Sequence, residues 1–129
     1  EVLEAGLVRF GVEYRVVPGI GNGVAIHVLG DVGDEEHELL AFDCFDQNAH
    51  YHYGPRLKNQ RFYFDYTVTP DPLRWTLDLI KGGKLAPMLE RAGYPDHAAR
   101  LNPVTVTQAV EELEVVALRV RASHEQSLS

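Results

Sequence analysis

The residues best suited to chemistry lie close together, between Asp43 and Tyr53. This stretch contains two carboxylates, the only cysteine of the chain and two of its six histidines. His50 and His52 form an H-x-H pair, and alternate residues of a strand share one face about 6.5–7 Å apart. Two imidazoles at that spacing can bind one metal ion, to which a neighbouring carboxylate adds an oxygen. The sequence therefore predicts a candidate site for zinc or iron, built from His50, His52, Asp43 and Asp46.

Two other interpretations of this stretch remain open. The same groups can line a pocket for a ligand that is not a metal, with the candidate contact residues Tyr51, Tyr53 and Tyr63. These tyrosines belong to a dense aromatic patch, which a core and a partner surface explain equally well. Alternatively, both histidines have only a structural role and bond to backbone carbonyls. The sequence does not decide whether the protein is an enzyme.

Cys44 is a second candidate for chemistry, as a nucleophile with His50 or His52 as its base. Its apolar neighbours Phe42 and Phe45 instead favour a buried thiol that behaves as a small hydrophobe. On a regular strand its side chain points away from the face that carries Asp43, so it is not expected to bind the metal.

Alternating apolar and polar residues in the first half of the chain predict half-buried strands. Five strands are expected around Val8–Val16, Val24–Val28, Glu38–Phe45, His50–Tyr53 and Phe62–Tyr66. The connections are too short for crossover helices, so an antiparallel meander is favoured over a parallel sheet.

The third of these strands is expected to be central, because apolar groups lie on both of its faces. Regular alternation places Leu40, Phe42 and Cys44 on one face. It places Leu39, Ala41, Asp43 and Phe45 on the other. These apolar groups, with the aromatic residues of the fifth strand, exceed what one helical layer can cover, so a homodimer is expected.

The second half of the chain predicts two to three helices. Asp71 and Pro72 form a start signal, because a carboxylate caps free N–H groups and proline suits the first helical position. Glycines at 82–83 predict a break, followed by a helical piece that ends at Gly93 and a short turn over 95–101.

The last helix is the clearest, with a capping-box spacing at Thr105 and Gln108 and an apolar stripe that includes Leu113. It is expected to end near residue 122, before a frayed polar tail over 123–129. Together, these elements predict one α+β domain over residues 1–129, a curved sheet with helices on one face.

Composition excludes several classes of partner. Twelve basic and nineteen acidic residues give the 129-residue chain a net charge of -7. Nucleic acids and anionic membranes need clustered positive charge, so neither is expected to bind. No apolar run approaches the ~20 residues that span a bilayer. The single cysteine excludes an internal disulfide, which agrees with a cytoplasmic protein. The chain starts at Glu1, so the sequence does not show whether a leader was removed.

Three segments carry a resemblance to a known family. They are Phe-Asp-Cys-Phe-Asp, His-Tyr-His-Tyr and Asp-Pro-Leu-Arg-Trp-Thr-Leu-Asp, which lie between Leu39 and Gly93. With these segments the chain resembles a family of small bacterial proteins classed as a domain of unknown function. The resemblance implies a free-standing bacterial cytoplasmic protein, but no activity and no catalytic residue.

The leading interpretation is a homo-oligomeric module that binds a ligand or partner through its sheet. The alternative is a metal-dependent enzyme with a site built on His50 and His52. The sequence identifies neither the substrate or ligand, nor the pathway, nor the number of subunits.

Overall fold

The computed structural model describes the backbone of residues 1–128 and the side chains of residues 1–125. The chain forms an α+β fold, as predicted. One six-stranded antiparallel meander, in the order β1 to β6, occupies the N-terminal half. Its strands are β1 (Val2–Ala5), β2 (Val8–Val17), β3 (Gly21–Val32), β4 (Glu35–Phe45), β5 (His50–Tyr53) and β6 (Arg61–Tyr63).

The sheet differs from the expected one at both edges. The sequence predicted about five strands, but β1 adds a sixth by pairing along its whole length with β2. The last strand was expected to reach Tyr66, but β6 ends at Tyr63. Beyond it, the N–H of Phe64 still bonds to the carbonyl of Ala49 before the chain leaves the sheet.

A β-bulge changes the predicted faces of β4. Val28 pairs with Leu40, whereas its neighbour Leu29 pairs with Glu38, so Leu39 is an extra residue without an opposite partner. The bulge places Leu39 in the hydrophobic core with Leu40 rather than on the face of Asp43 as predicted. Gly30 makes room for it, since a Cβ there would lie 2.7 Å from Leu39 Cδ1.

Four helices fill the C-terminal half, one more than the upper number expected. They are α1 (Pro72–Lys81), α2 (Leu85–Arg91), α3 (Pro95–Arg100) and α4 (Pro103–Leu128). Asp71 caps α1 as predicted, accepting a hydrogen bond from the N–H of Arg74. The predicted break follows, with Gly83 at φ +81° between α1 and α2.

The start and end of α4 differ from the prediction. Its first turn is capped by Asn102, whose Oδ1 accepts from the N–H groups of Val104 and Thr105, so Thr105 is not the cap. The helix continues to Leu128, beyond the predicted end near residue 122. Of the predicted tail, Ser129 and the side chains of residues 126–128 lie outside the described part of the chain.

All four helices pack on the same face of the sheet. The core includes Phe10, Ile26 and Phe42 from the strands, and Leu77 and Leu113 from α1 and α4. Among the described residues, no helix is long and apolar enough to span a membrane. The opposite face of the sheet, called the open face below, carries no helix of the described chain.

Candidate functional site

The strand register brings the predicted histidines and Asp43 onto the open face. Asp43 pairs with His50, and Ala41 pairs with His52, across β4 and β5. On the other side of β4, Ala41 pairs with His27 of β3. Because side chains opposite each other point to the same face, all of these groups lie on one surface.

His50 is held between two acceptors. Its Nδ1 lies 2.9 Å from the carbonyl oxygen of Asn48, and its Nε2 lies 2.9 Å from Oδ2 of Asp43. A carbonyl and a carboxylate both require an N–H donor, so this geometry fits the imidazolium form. The hydrogen bond to Asp43 raises the pKa of His50, against the opposing effect of burial.

Asp43 is almost fully buried, with 2% of its surface exposed. Burial disfavours its charge, but the hydrogen bond and charge of His50, with His52 and Arg15, lower its pKa overall. Arg15 Nη1 lies 3.3 Å from its second oxygen, Oδ1. The carboxylate is therefore ionised and bonded on both oxygens.

His27 repeats this arrangement at the centre of the open face. Its Nδ1 lies 2.7 Å from Glu38 Oε2, and its Nε2 lies 3.0 Å from Glu13 Oε2. The hydrogen bond to Glu38 is the main cause that raises the pKa of His27. His27 is thus a second charged histidine with both nitrogens occupied.

His52 lies between these two groups but is not bonded to either. Its Nε2 is 3.8 Å from Glu38 Oε1 and 3.7 Å from Asp43 Oδ2, too far for direct hydrogen bonds. Its Nδ1 is buried without a hydrogen-bond partner. Burial lowers the pKa of His52, so its ring is neutral at pH 7.

These residues form one connected cluster, which we call the open-face network. Its members are Glu13, Arg15, His27, Glu38, Asp43, His50 and His52. Three carboxylates face two charged histidines and one arginine, so the charges balance. The network is held in place by β2, β3, β4 and β5 together.

The structure separates the other predicted site residues. Asp46 does not share the face of Asp43, because the two are an odd number of residues apart, so alternation directs them to opposite faces. Its Oδ1 accepts from the N–H of Asn22, just beyond the end of β4 at Phe45. Tyr63 lies on the open face, with its ring centre 5.3 Å from that of His50. Tyr51 and Tyr53 lie on the other face, so the three tyrosines do not share one pocket.

Tyr51 and Tyr53 belong to an aromatic cluster under the helices. Tyr51 stacks on Phe62 at 5.1 Å and on Trp75 of α1 at 5.8 Å between ring centres. Arg91 of α2 covers the rings of Tyr53 and Phe62. This cluster joins the sheet edge to the helices.

Cys44 lies on the helix side, as expected, where its sulfur is 3.5 Å from Thr76 Oγ1. Burial raises the pKa of Cys44 to about 12. A thiol that stays protonated at pH 7 is a poor nucleophile.

Sequence reasoning missed four members of the network: Glu13, Arg15, His27 and Glu38. Glu13, Arg15 and His27 lie at polar positions of a strand pattern, so period-two alternation places them only on a solvent-facing surface. The same alternation places Glu38 on the core face with Leu40. Only the register between strands shows that Glu13 and Glu38 meet on His27, and the bulge at Leu39 sets that register for Glu38.

No group of three or more His, Cys, Asp or Glu in the described part of the chain is arranged to hold a metal. His50 has no nitrogen left for a metal ion, because both of its ring nitrogens are already bonded to acceptors.

The fold and the open-face network define an α+β protein with a one-sided helical layer. Comparison with family models places the chain in the family described as Domain of unknown function (DUF7700), matched over residues 2–117. The chain belongs to this family, and the resemblance to a domain of unknown function is thereby confirmed. Neither the curated proteins nor the solved structures contain a match.

Proposed function

We propose that the protein is a non-catalytic recognition module that forms a homodimer through its open sheet face. The observation that carries this proposal is the open-face network itself. It is a pre-organised, charge-balanced polar layer that includes nearly buried residues, yet no element of the described chain covers it. A surface ordered to this degree is suited to contact with another molecule.

The chemistry of the network favours binding over catalysis. A general base needs a free nitrogen within reach of the substrate, and both nitrogens of His27 and His50 are bonded to acceptors. The thiol of Cys44 lies on the other side of the sheet with its pKa raised to about 12. Of the three histidines in the open-face network, only His52 has ring nitrogens without a hydrogen-bond partner, and its Nδ1 is buried.

A second copy of the chain is the partner that fits this surface. The face carries both signs of charge, so it can match itself across a two-fold axis. Because the charges of the open-face network are already paired, covering the network leaves none of them uncompensated. The six strands, spaced about 4.8 Å apart and rising about 3.3 Å per residue, give the open face an area of roughly 700 Å². One partner contributes about 800 Å² to a standard interface.

Sedimentation velocity with two matched variants tests this proposal. Tyr63 lies on the open face and is 64% exposed, whereas Val115 lies on the outer side of α4 and is 63% exposed. The wild type is expected to sediment at twice the 14.5 kDa chain mass at micromolar concentration. Tyr63→Glu should shift it to the monomer, because it places an unpaired charge in the interface.

Val115→Glu makes an equally exposed change away from the open face and should stay dimeric. A wild type that is monomeric over the whole concentration range would refute the proposal. So would dissociation by Val115→Glu but not by Tyr63→Glu, since the interface would then involve α4.

The metal-dependent enzyme is the second candidate, and one observation favours it. His52 Nε2 lies between Asp43 Oδ2 and Glu38 Oε1, unbonded to either. A small shift would let these three atoms meet one ion at distances of about 2.0–2.2 Å. Metal analysis of untagged protein separates the candidates: stoichiometric zinc or iron lost in His52→Ala favours the enzyme.

A further inference from the structure

A second candidate site lies at one end of the sheet, beyond the open-face network. It is a cavity of about 540 Å³ between the β2–β3 hairpin, the end of β4, the segment that leads into α1 and the last turns of α4. We propose that this cavity binds a small organic cation, an ammonium or guanidinium group on an apolar or aromatic body.

Hydrogen bonds and stacking hold the walls of this cavity in place. The hydroxyl of Tyr66 donates to the carbonyl of Phe45 and accepts from the N–H of Ala49, at 3.0 and 2.9 Å. The ring of Tyr14 stacks on that of His124, with their centres 4.3 Å apart. Walls fixed before a ligand arrives reduce the entropy cost of binding it.

The charges that line the cavity are unbalanced. Asp46, Asp71 and Glu125 contribute carboxylates, and Arg121 contributes the one basic side chain among the described lining residues. Arg121 is already paired with Asp71, 3.2 Å from its Oδ1. Within the described chain, neither Asp46 nor Glu125 has a basic partner within 4.0 Å. Two carboxylates are thus left to bind a cation and repel an anion.

Aromatic rings in the cavity wall indicate the chemistry of the uncharged part of the ligand. Tyr14 and Tyr66 line the cavity, and the faces of aromatic rings attract both apolar groups and cations. Burial, and then the charges of Asp46 and Glu125, raise the pKa of Tyr14, which agrees with both carboxylates acting at its hydroxyl. An organic cation can pack its apolar or aromatic body on the rings and place its charge next to the carboxylates.

Asp46 is the residue on which the proposed site depends most. Its Oδ1 accepts from the N–H of Asn22 at 2.9 Å, which fixes the carboxylate at the mouth of the β2–β3 hairpin. Its other oxygen has no hydrogen bond to a described residue and remains for a ligand. Asp46→Asn keeps an acceptor for Asn22 and removes only the charge, so it is expected to fold.

Calorimetric titration with a matched pair of probes tests the site. Tyramine carries an ammonium group on a phenol ring, and 4-hydroxyphenylacetate carries a carboxylate on the same ring. Tyramine should bind at millimolar or lower concentration, and 4-hydroxyphenylacetate should not. Asp46→Asn and Glu125→Gln should each weaken tyramine binding about tenfold or more, the effect of losing one charge-assisted contact.

Asp34→Asn is the control, because Asp34 is exposed in the distant turn between β3 and β4 and the variant removes the same charge. It should leave tyramine binding unchanged. The proposal is overturned if neither probe binds, if both bind equally, or if Asp34→Asn weakens binding as much as Asp46→Asn. The outcome is independent of dimer formation, which sedimentation reports separately.

Discussion

At the scale of single residues, two histidines of the open face have been fixed in their charged form by the acceptors around them. His27 and His50 resemble each other in this respect, but their surroundings differ. Asp43, the partner of His50, is 2% exposed, whereas Glu13 and Glu38, the partners of His27, are in contact with solvent. The energetic value of the two histidines should therefore differ.

Replacing these histidines tests that difference. His50→Ala leaves the buried Asp43 without its main partner and should lower the free energy of unfolding by about 3–5 kcal/mol. His27→Ala removes ion pairs to exposed carboxylates and should cost about 1 kcal/mol. Urea unfolding at pH 7 measures both. Equal costs would show that Asp43 is stabilised without His50.

The pH dependence of stability follows from the same groups. The pKa values of His27 and His50 are raised by folding, so their stabilisation is complete below about pH 6.5 and is lost as pH rises through their folded pKa values. His52 acts in the opposite sense, because its lowered pKa makes protonation below about pH 6.5 destabilising. The lowered pKa of Asp43 adds stability above about pH 4 that is lost on further acidification.

Unfolding curves from pH 6 to pH 9 check this expectation. The wild type should lose stability as the pH rises, and the double variant His27→Gln/His50→Gln should lose distinctly less. If the variant and the wild type follow the same curve, the two histidines are not charged in the folded protein.

The residues of the site also differ in how well the sequence predicts their positions. The H-x-H spacing was enough to place His50 and His52 on one face, and the neighbouring strand brought Asp43 to them. Asp46 was a poor candidate on the same rule, because alternation directs it to the face opposite Asp43, and the strand ends one residue before it. Glu13 and Arg15 lie in β2, and their approach to this group depends on pairings between strands that spacing along one strand does not contain.

At the scale of secondary-structure elements, the central strands and the start of α1 followed the local pattern, whereas the bulge in β4 and the edge strand β1 depend on pairing between strands. The alternation in β2 and β3 and the Asp71–Pro72 signal were sufficient for those elements. The bulge at Leu39 was not predictable, because strict alternation and a bulge differ only in how the strand pairs with β3. The short β1 is stabilised by pairing with β2 rather than by a pattern of its own.

The docking of α4 on the sheet gives a prediction at this scale. Leu113 is fully buried against the sheet, so Leu113→Ala should cost about 2–5 kcal/mol of unfolding free energy. Glu112 is exposed on the same turn, and Glu112→Ala should cost less than about 0.5 kcal/mol. Urea melts that give the two variants similar small costs would mean that α4 is not docked through this stripe.

At the scale of the whole molecule, the protein is two-sided. One face of the sheet packs on the four helices and holds the core, and the other carries a polar network that the described chain leaves uncovered. The aromatic residues around β5 and β6 divide between these faces: Tyr51 and Phe62 stack under the helices, and Tyr63 remains outside. A second copy of the chain would cover what the helices do not.

Intermolecular contacts measured by NMR in a mixed sample of labelled and unlabelled protein test this claim most directly. An isotope-filtered experiment detects only protons of one copy that lie close to protons of the other. The account predicts such contacts at the ring of Tyr63 and the methyl groups of Val2, both exposed on the sheet. Contacts confined to Val115 and Leu118 on α4, or a dimer with none at the open face, would contradict it.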